Sequence, residues 1–118
     1  MALTRDQIKA KRGVMPREPL VVPELGEEPI YISKLNAANR DRFEQMVTGG
    51  KVGGVDLSNI RARFMTLVCV DEKGTRLFEE SDAEWLGELD TDIVQQIAEK
   101  GFALNGINVD AVEDAAKN

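Results

Sequence analysis

Cys69 is the single cysteine of the chain and the first candidate for a chemical role. A cysteine nucleophile acts as a thiolate, and a neighbouring histidine usually supplies the base. The sequence has no histidine, and Leu67, Val68 and Val70 surround Cys69. Because apolar neighbours raise the pKa of a thiol, we expect Cys69 to be an unreactive core residue. Cysteine–histidine, serine–histidine and histidine-based metal sites are excluded.

The acidic stretch that follows Cys69 raises the question of a calcium loop. A calcium loop of the helix–loop–helix type has glycine at its sixth position and oxygen ligands at its first and fifth positions. With Gly74 at the sixth position, Cys69 would be first and Lys73 fifth, and neither is a calcium ligand. Paired carboxylates elsewhere, such as Glu79-Glu80, are typical of solvated faces. We therefore expect a protein that is not an enzyme and has no metal or cofactor.

The composition indicates one soluble globular domain. The chain has 118 residues, of which 42% are hydrophobic and 31% are charged. No apolar run approaches the roughly 18 residues of a membrane span, and the start lacks the apolar segment of a secretory signal. We therefore expect a cytoplasmic protein that does not contact a membrane.

Charge is distributed unevenly along the chain. Residues 1–17, here called the basic arm, carry a net charge of +4, whereas residues 71–118 carry −9. An acidic body repels phosphate backbones, so the charge distribution disfavours nucleic-acid binding except through the basic arm. The predicted organisation is a flexible arm over residues 1–17, with one or two helical turns capped by Thr4, and a domain over residues 18–118.

The first half of this domain predicts a β-hairpin and a helix. Residues 20–22 form one short strand, Leu25-Gly26 the turn, and residues 30–33 the return strand. Asn36 then caps a helix that ends before a glycine-rich loop at residues 49–54.

The second half predicts helices around a second short hairpin. A helix over residues 57–70, capped by Asp56 or Ser58, is followed by a turn at residues 72–74. Ser81 caps a short helix in a capping box with Glu84, and a longer helix over residues 91–104 stops at Asn105-Gly106. A last helix begins after Asn108. Strands first and helices later favour a small α+β domain with four to five helices.

The predicted core consists of apolar residues at helical or strand spacing. Its members are Phe43, Ile60, Phe64, Leu67, Val68, Cys69, Leu77, Phe78, Trp85, Ile93 and Ile97.

Four segments in order, which together cover nearly the whole chain and include the start at residues 3–8, resemble the tail assembly chaperones of long-tailed phages and prophages. In that family a helix leads into a motif of the form V/L-D-E-x-G-x-R-L/F-F, followed by D-x-x-x-L and acidic helices. The matching positions here are Arg61, Phe64, Val70, Asp71, Glu72, Gly74, Arg76, Leu77, Phe78, Asp82 and Leu86. An upstream hairpin and helix are also similar, at Leu35, Ala37, Arg40, Asp41, Phe43 and Glu44. Asn39 departs from the acid usual before Arg40.

The resemblance implies a late, non-catalytic protein of virion morphogenesis that binds the apolar, helical tape measure protein. Such a chaperone keeps that partner soluble, recruits tail tube subunits, often forms homo-oligomers, works in the host cytoplasm and is absent from the mature virion. Contact surfaces are expected on the helices at 57–70 and 91–104 and on the glycine-rich loop. The residues named for this contact are Arg61, Arg63, Gly49, Gly50, Gly53, Gly54, Gln95 and Gln96.

Two rival functions follow from the same sequence. A minor tail or tube component of the particle would share the family context but persist in finished particles. A DNA-linked regulator could use the basic arm, although the helices from residue 81 onward are acidic. The family resemblance also implies a longer product made by a ribosomal frameshift, for which Ala116-Lys117-Asn118 could be encoded by a slippery run.

Overall fold

The computed structural model describes residues 1–48 and 59–108. These residues form a three-stranded antiparallel sheet and five α-helices, which confirms the predicted α+β class. The predicted glycine-rich loop at 49–54, the proposed caps Asp56 and Ser58, and the predicted last helix after Asn108 lie outside the described residues.

The elements follow one another in the order α1, β1, β2, α2, α3, β3, α4, α5. The helices are α1 (Arg5–Lys9), α2 (Ala37–Thr48), α3 (Ile60–Val68), α4 (Ala83–Leu86) and α5 (Thr91–Leu104). The strands are β1 (Arg17–Leu20), β2 (Ile30–Ser33) and β3 (Cys69–Val70). None of the helices within the described residues is both long enough and apolar enough to span a bilayer.

The first hairpin is present, but its first strand lies nearer the start of the chain than predicted. Strand β1 pairs with β2 so that Leu20 lies opposite Ile30. The predicted strand at 20–22 is wrong because a 3-10 turn over Pro23–Leu25 draws the chain out of the sheet, with Val22 buried just before it. Strand β1 is an edge of the sheet, where a proline such as Pro19 removes no ladder hydrogen bond.

Arg17, which the sequence analysis grouped with the basic arm, is the first residue of β1. Its Nε donates a hydrogen bond to the carbonyl oxygen of Glu72 at 2.8 Å. The side chain therefore joins the first strand to the second hairpin. The part of the arm that lies outside the sheet ends before this residue.

Helix α3 is shorter at its C-terminal end than predicted. Val68 is its last helical residue, because Cys69 adopts extended backbone angles and pairs with Ile32 of β2. The segment after it turns back so that Val70 forms an isolated bridge with Arg76. The second hairpin is thus present, and its first strand, β3, is the third strand of the sheet.

The cap before α4 differs from the prediction. A 3-10 turn over Glu80–Asp82 precedes the helix, and Glu79 is its N-cap. Glu79 and Asp82 form the capping box, with Asp82 Oδ2 accepting from the Glu79 N–H at 2.7 Å. Ser81 lies inside this turn, so the predicted box between Ser81 and Glu84 is wrong. The observed box thus lies two residues before the predicted one, with Asp82 in the role predicted for Glu84.

Helix α5 ends where the Asn-Gly pair predicts. Asp90 caps its start by accepting the N–H of Asp92 at 2.8 Å. At its other end Gly106 has a φ of +64°, and the Ile107 N–H donates to the Phe102 carbonyl at 2.8 Å. A residue in the left-handed region followed by this hydrogen bond is a common way to terminate a helix.

The core lies between α3, α5 and the sheet, with three aromatic rings at its centre. The Phe64 ring centroid is 4.9 Å from that of Phe43 and 4.5 Å from that of Phe102. Helix α3 is buried along nearly its whole length, as expected for a central helix. Among the residues named for the core, the buried ones are Phe43, Ile60, Phe64, Leu67, Val68, Cys69, Ile93 and Ile97.

Three residues named for the core lie nearer the surface. Leu77 is 47% exposed and Trp85 is 46% exposed, so the prediction that they are core residues is wrong, while Phe78 is half-buried. Helix α4 has four residues, and its Ala83 and Leu86 already face the core. Trp85 therefore lies on the outer side of α4, beside the return segment of the second hairpin.

Candidate functional site

Cys69 is buried and unpaired with any other cysteine. Burial raises the pKa of its thiol to about 12, so almost none of it is thiolate at neutral pH. This geometry does not support a nucleophile at this position.

Asp71 shapes the turn of the second hairpin. Its Oδ1 accepts the N–H groups of Lys73 at 2.8 Å and of Thr75 at 2.9 Å. The hydrogen bond from Thr75, with that from Lys73, holds the pKa of Asp71 below its ordinary value. Gly74 completes the turn with a φ of +89°. One oxygen of this carboxylate is therefore used by the backbone.

The described part of the chain contains no candidate metal site. Within residues 1–48 and 59–108, no group of three or more cysteine, aspartate or glutamate side chains is arranged to hold an ion. The carboxylates near the hairpin act as turn and helix caps instead, as Asp71, Glu79 and Asp82 illustrate.

Two arginines that carry the family resemblance, Arg76 and Arg40, have structural roles. Arg76 Nε donates to the Thr66 carbonyl at 2.9 Å, which ties the second hairpin to α3. Arg40 Nη1 donates to the Asn105 carbonyl at 2.9 Å, and the Leu35 N–H donates to Asn105 Oδ1 at 2.7 Å. Asn105 therefore links the start of α2 to the end of α5. The sequence marked Asn105 as a helix stop and missed this link, because its partners are distant along the chain.

Arg61 and Arg63, named as contact residues, are half-buried on α3. Arg61 lines an open pocket of about 210 Å³ between the start of α3 and the start of α5. Gly87, Thr91 and Val94 form part of its opposite wall. The pocket is shallow and of mixed polarity, so it is suited to a side chain of a protein partner rather than to a small-molecule substrate.

Gln95 and Gln96, also named as contact residues, are half-buried on α5 and hydrogen-bonded within the chain. Gln95 Nε2 donates to Glu99 one turn later at 2.8 Å. Gln96 Nε2 donates to Glu24 Oε2 at 2.8 Å and so joins α5 to the 3-10 turn of the first hairpin. The other named contact residues, Gly49, Gly50, Gly53 and Gly54, lie outside the described residues.

An exposed apolar patch lies where the sequence predicted core. It consists of the Phe78–Trp85 ring pair together with the exposed Leu77, which precedes Phe78 in the chain, and is here called the apolar patch. The rings of Phe78 and Trp85 meet edge to face with centroids 5.7 Å apart. Trp85 Nε1 donates to Asp82 Oδ1 at 2.9 Å, and this bond holds the pKa of Asp82 below its ordinary value. A fixed, half-exposed tryptophan is typical of a protein contact surface.

The described residues thus define a small α+β protein with a half-exposed tryptophan and a buried cysteine. The chain is similar to a solved structure described as "Structure of bacteriophage HK97 tail assembly chaperone". The two share 13% sequence identity with a TM-score of 0.63, over 88% of this chain and 94% of that chain. At this identity the likeness shows a shared fold. The predicted resemblance to tail assembly chaperones is therefore confirmed at the level of the fold.

Two sequence comparisons found nothing. No protein-family model matches the sequence, and no curated protein matches it.

Proposed function

We propose that this protein is a non-catalytic assembly chaperone of a phage tail. It binds the tape measure protein, keeps it soluble and promotes polymerisation of the tail tube around it. The observation that carries the proposal is the fold shared with the HK97 tail assembly chaperone over most of both chains. The matched motif residues agree with it, since Asp71 shapes the turn of the second hairpin and Arg76 ties that hairpin to α3.

The absence of suitable chemistry among the described residues supports a binding role. Cys69, the single cysteine, is buried and protonated at neutral pH. Asp71 and Asp82 both accept hydrogen bonds that shape the fold. The exposed surface instead offers apolar and acidic side chains to a partner.

The physical task of such a chaperone is to cover apolar surface. A long apolar helix aggregates until a partner buries its apolar face. A chaperone that binds only the unassembled tape measure protein stabilises that soluble state by mass action. The chaperone is released when tube subunits take its place. We accordingly place its action in the bacterial cytoplasm during assembly, with tail tube subunits as further partners.

The test is co-expression with the tape measure protein encoded by the same phage. The expected result is that the tape measure protein becomes soluble and co-purifies only when this chain is present. Failure of both solubility and co-purification, with the chain itself folded, would contradict the proposal. Purified particles provide a second check, because a chaperone should be absent from them and a minor tail component should be present.

Charge reversal on α3 tests one proposed contact. Arg61→Glu combined with Arg63→Glu should reduce recovery of the soluble complex while leaving the fold intact by circular dichroism. Lys34→Glu is the matched control, because Lys34 is an exposed base outside α3. Equal recovery of the complex with the parent, the α3 double variant and Lys34→Glu would show that α3 is not part of the contact surface.

A further inference from the structure

The pair Asn105-Gly106 at the end of α5 is a sequence that can deamidate without an enzyme. Asn105 is the only asparagine of the chain that precedes a glycine. Glycine favours this reaction because it has no β-carbon to hinder its backbone nitrogen. The same asparagine links α5 to the start of α2, so its chemistry and its structural role are coupled.

The reaction needs water as its only co-reactant, and nothing is oxidised or reduced. The backbone nitrogen of Gly106 gives up its proton and attacks Asn105 Cγ. The new C–N bond closes a succinimide ring, the bond between Cγ and Nδ2 breaks, and the side-chain nitrogen leaves as ammonia. Water then opens the ring at either carbonyl carbon, which gives aspartate or isoaspartate.

Three hydrogen bonds hold the carboxamide of Asn105 away from this reaction. Its Oδ1 accepts the Leu35 N–H at 2.7 Å. Its Nδ2 donates to the Gly101 carbonyl at 2.9 Å and to the Ser33 carbonyl at 3.4 Å. Because Leu35 and Ser33 are distant in sequence, their hydrogen bonds to Asn105 exist only while the tertiary fold does.

The backbone at Asn105-Gly106 also opposes ring closure. The succinimide ring is nearly planar, so it closes only when the Gly106 nitrogen eclipses Asn105 Cβ, and the ψ of 2° at Asn105 turns that nitrogen out of the plane. The Gly106 N–H donates to the Ala103 carbonyl at 3.3 Å, which disfavours loss of its proton. The negative end of the α5 dipole disfavours an anionic nitrogen at the same place.

The products do not fit the site that the asparagine occupies. Aspartate has an oxygen in place of Nδ2, and this oxygen would face the carbonyl oxygens of Gly101 and Ser33. Its charge would also lie at the carboxyl end of a helix, where a negative charge is unfavourable. Isoaspartate adds a methylene group to the main chain, which displaces the end of α5 from Arg40, whose Nη1 donates to the Asn105 carbonyl.

We propose that Asn105-Gly106 is a deamidation site that the fold protects. The amide survives while the carboxamide is bonded to Leu35 and Ser33, and it reacts when the link between α2 and α5 opens. Deamidation then weakens this link, so an opening that was reversible becomes permanent. A chain that does not stay folded is in this way chemically marked and lost from the population that can refold.

The test is the rate of deamidation of the full chain at mildly alkaline pH, in buffer and in guanidinium chloride at the same temperature. Mass spectrometry of the peptide that contains residue 105 measures the conversion of amide to acid, and chromatography separates aspartate from isoaspartate. The reaction should be at least roughly tenfold slower in buffer, because only opened molecules react. Gly106→Ala should slow the reaction in the denaturant, since a β-carbon hinders the attack.

Two arginines of α2 provide a matched pair of variants. Arg40→Ala removes the hydrogen bond to the Asn105 carbonyl but leaves the carboxamide in place. It should speed deamidation in buffer and leave the rate in denaturant unchanged. Arg42→Ala removes an arginine of the same helix that pairs with Glu80 instead, and it should leave both rates unchanged.

The exchange of amide for acid can also be made directly at two helix ends. Asn105→Asp should lower the ratio of folded to unfolded chain roughly tenfold or more, because two carbonyl oxygens lose their donor and face a like charge. Asn36→Asp makes the same exchange at the start of α2, where Oδ1 of the asparagine accepts the Asn39 N–H at 2.8 Å. Aspartate caps a helix start as well as asparagine does, so this control should retain the parental stability.

Four outcomes would overturn the inference. Equal rates of deamidation in buffer and in denaturant would show that the fold does not protect Asn105. Equal rates for Arg40→Ala and Arg42→Ala in buffer would show that the link between α2 and α5 does not control the reaction. An unchanged rate for Gly106→Ala in denaturant would exclude the succinimide route, and parental stability of Asn105→Asp would mean that the product fits the site. The measurements use this chain alone, so they do not depend on its partner.

Discussion

Gly101 of α5 lies against the ring of Phe64 of α3 so closely that a side chain does not fit between them. A β-carbon at Gly101 would lie 2.6 Å from Phe64 Cε2 and 3.4 Å from Val68 Cγ2. The Phe64 ring cannot easily move away, because it packs against the rings of Phe43 and Phe102. This close approach allows α3 and α5 to bury their faces against each other at the centre of the core.

Gly101→Ala is expected to destabilise the fold. Overpacking a well-packed core costs about 1–3 kcal/mol, while alanine in a helix gains about 1 kcal/mol over glycine, so the net loss of stability should be up to about 2 kcal/mol. Urea unfolding measures this difference as a lower midpoint concentration of urea, with the dependence of the unfolding free energy on urea unchanged. Ala103→Gln, at an exposed position on the same helix, is the control and should change stability by less than about 0.5 kcal/mol. Equal stability of Gly101→Ala and the parent would show that Phe64 repacks freely.

Asn59 provides a second test, because its backbone and side chain act separately. It lies in the left-handed region with a φ of +55°, and its Nδ2 donates to the Ala83 carbonyl. Asn59→Gly should lose the hydrogen bond, at about 0.5–1.5 kcal/mol, but accept the backbone angle easily. Asn59→Ala should also lose the hydrogen bond, and its β-carbon disfavours the left-handed backbone angle. Asn59→Ala should therefore be less stable than Asn59→Gly by about 1 kcal/mol. Thermal or urea unfolding of Asn59→Gly and Asn59→Ala gives the order of their stabilities. If Asn59→Ala were the more stable, the argument from the backbone angle would be contradicted.

The pattern of apolar residues predicted the central helix and the long helix well, because both bury a continuous face. Phe64 and Ile97 each belong to a series of apolar residues at helical spacing. This spacing can be read from the sequence without knowledge of the tertiary fold. Leu77 and Trp85 were assigned wrongly to the core for the complementary reason. Their apolar character is visible in the sequence, but the direction in which a four-residue helix and a short return segment face depends on distant packing.

The candidate contact surface was predictable only in part. Arg61 lines a pocket whose opposite wall comes from the start of α5, and the sequence cannot indicate which residues meet there. Asn59 and Ala83 are 24 residues apart, so local propensity contains no signal of their hydrogen bond. The motif shared with tail assembly chaperones identified Asp71 and Arg76, and the structure assigns both to the folding of the second hairpin.

The turn capped by Asp71 should make stability depend on pH. Hydrogen bonds from the Thr75 and Lys73 N–H groups lower the pKa of Asp71 in the folded state. A carboxyl whose pKa is lowered by folding contributes stability above its unfolded pKa, and that contribution is lost as the pH falls through the lower, folded value. Stability should therefore decrease on acidification below the ordinary value of 3.8.

Asp71→Asn isolates this contribution, because the amide oxygen can still accept a hydrogen bond but does not titrate. Urea unfolding at a series of pH values, from neutral to the lowest pH at which the parent is still folded, gives the free energy of unfolding against pH. This free energy should fall less with decreasing pH for Asp71→Asn than for the parent. Glu72→Gln removes the same charge from the adjacent exposed side chain and should retain the steeper parental profile. Coincident profiles for the parent and Asp71→Asn would mean that Asp71 does not stabilise the turn through its charge.

Cys69 should be inert towards thiol reagents until the protein unfolds. Its sulfur is buried, and burial raises the pKa of the thiol from 9.0 to about 12, which lowers the thiolate fraction roughly thousand-fold at a given pH. A thiol-reactive chromogenic disulfide should therefore label the folded chain slowly and label it fully in urea. Val21→Cys in a Cys69→Ala background is the control, because Val21 is half exposed and its replacement should react at once. Rapid labelling of folded Cys69 at the rate of this control would show that the strand β3 opens readily, and would reopen the question of a reactive thiol.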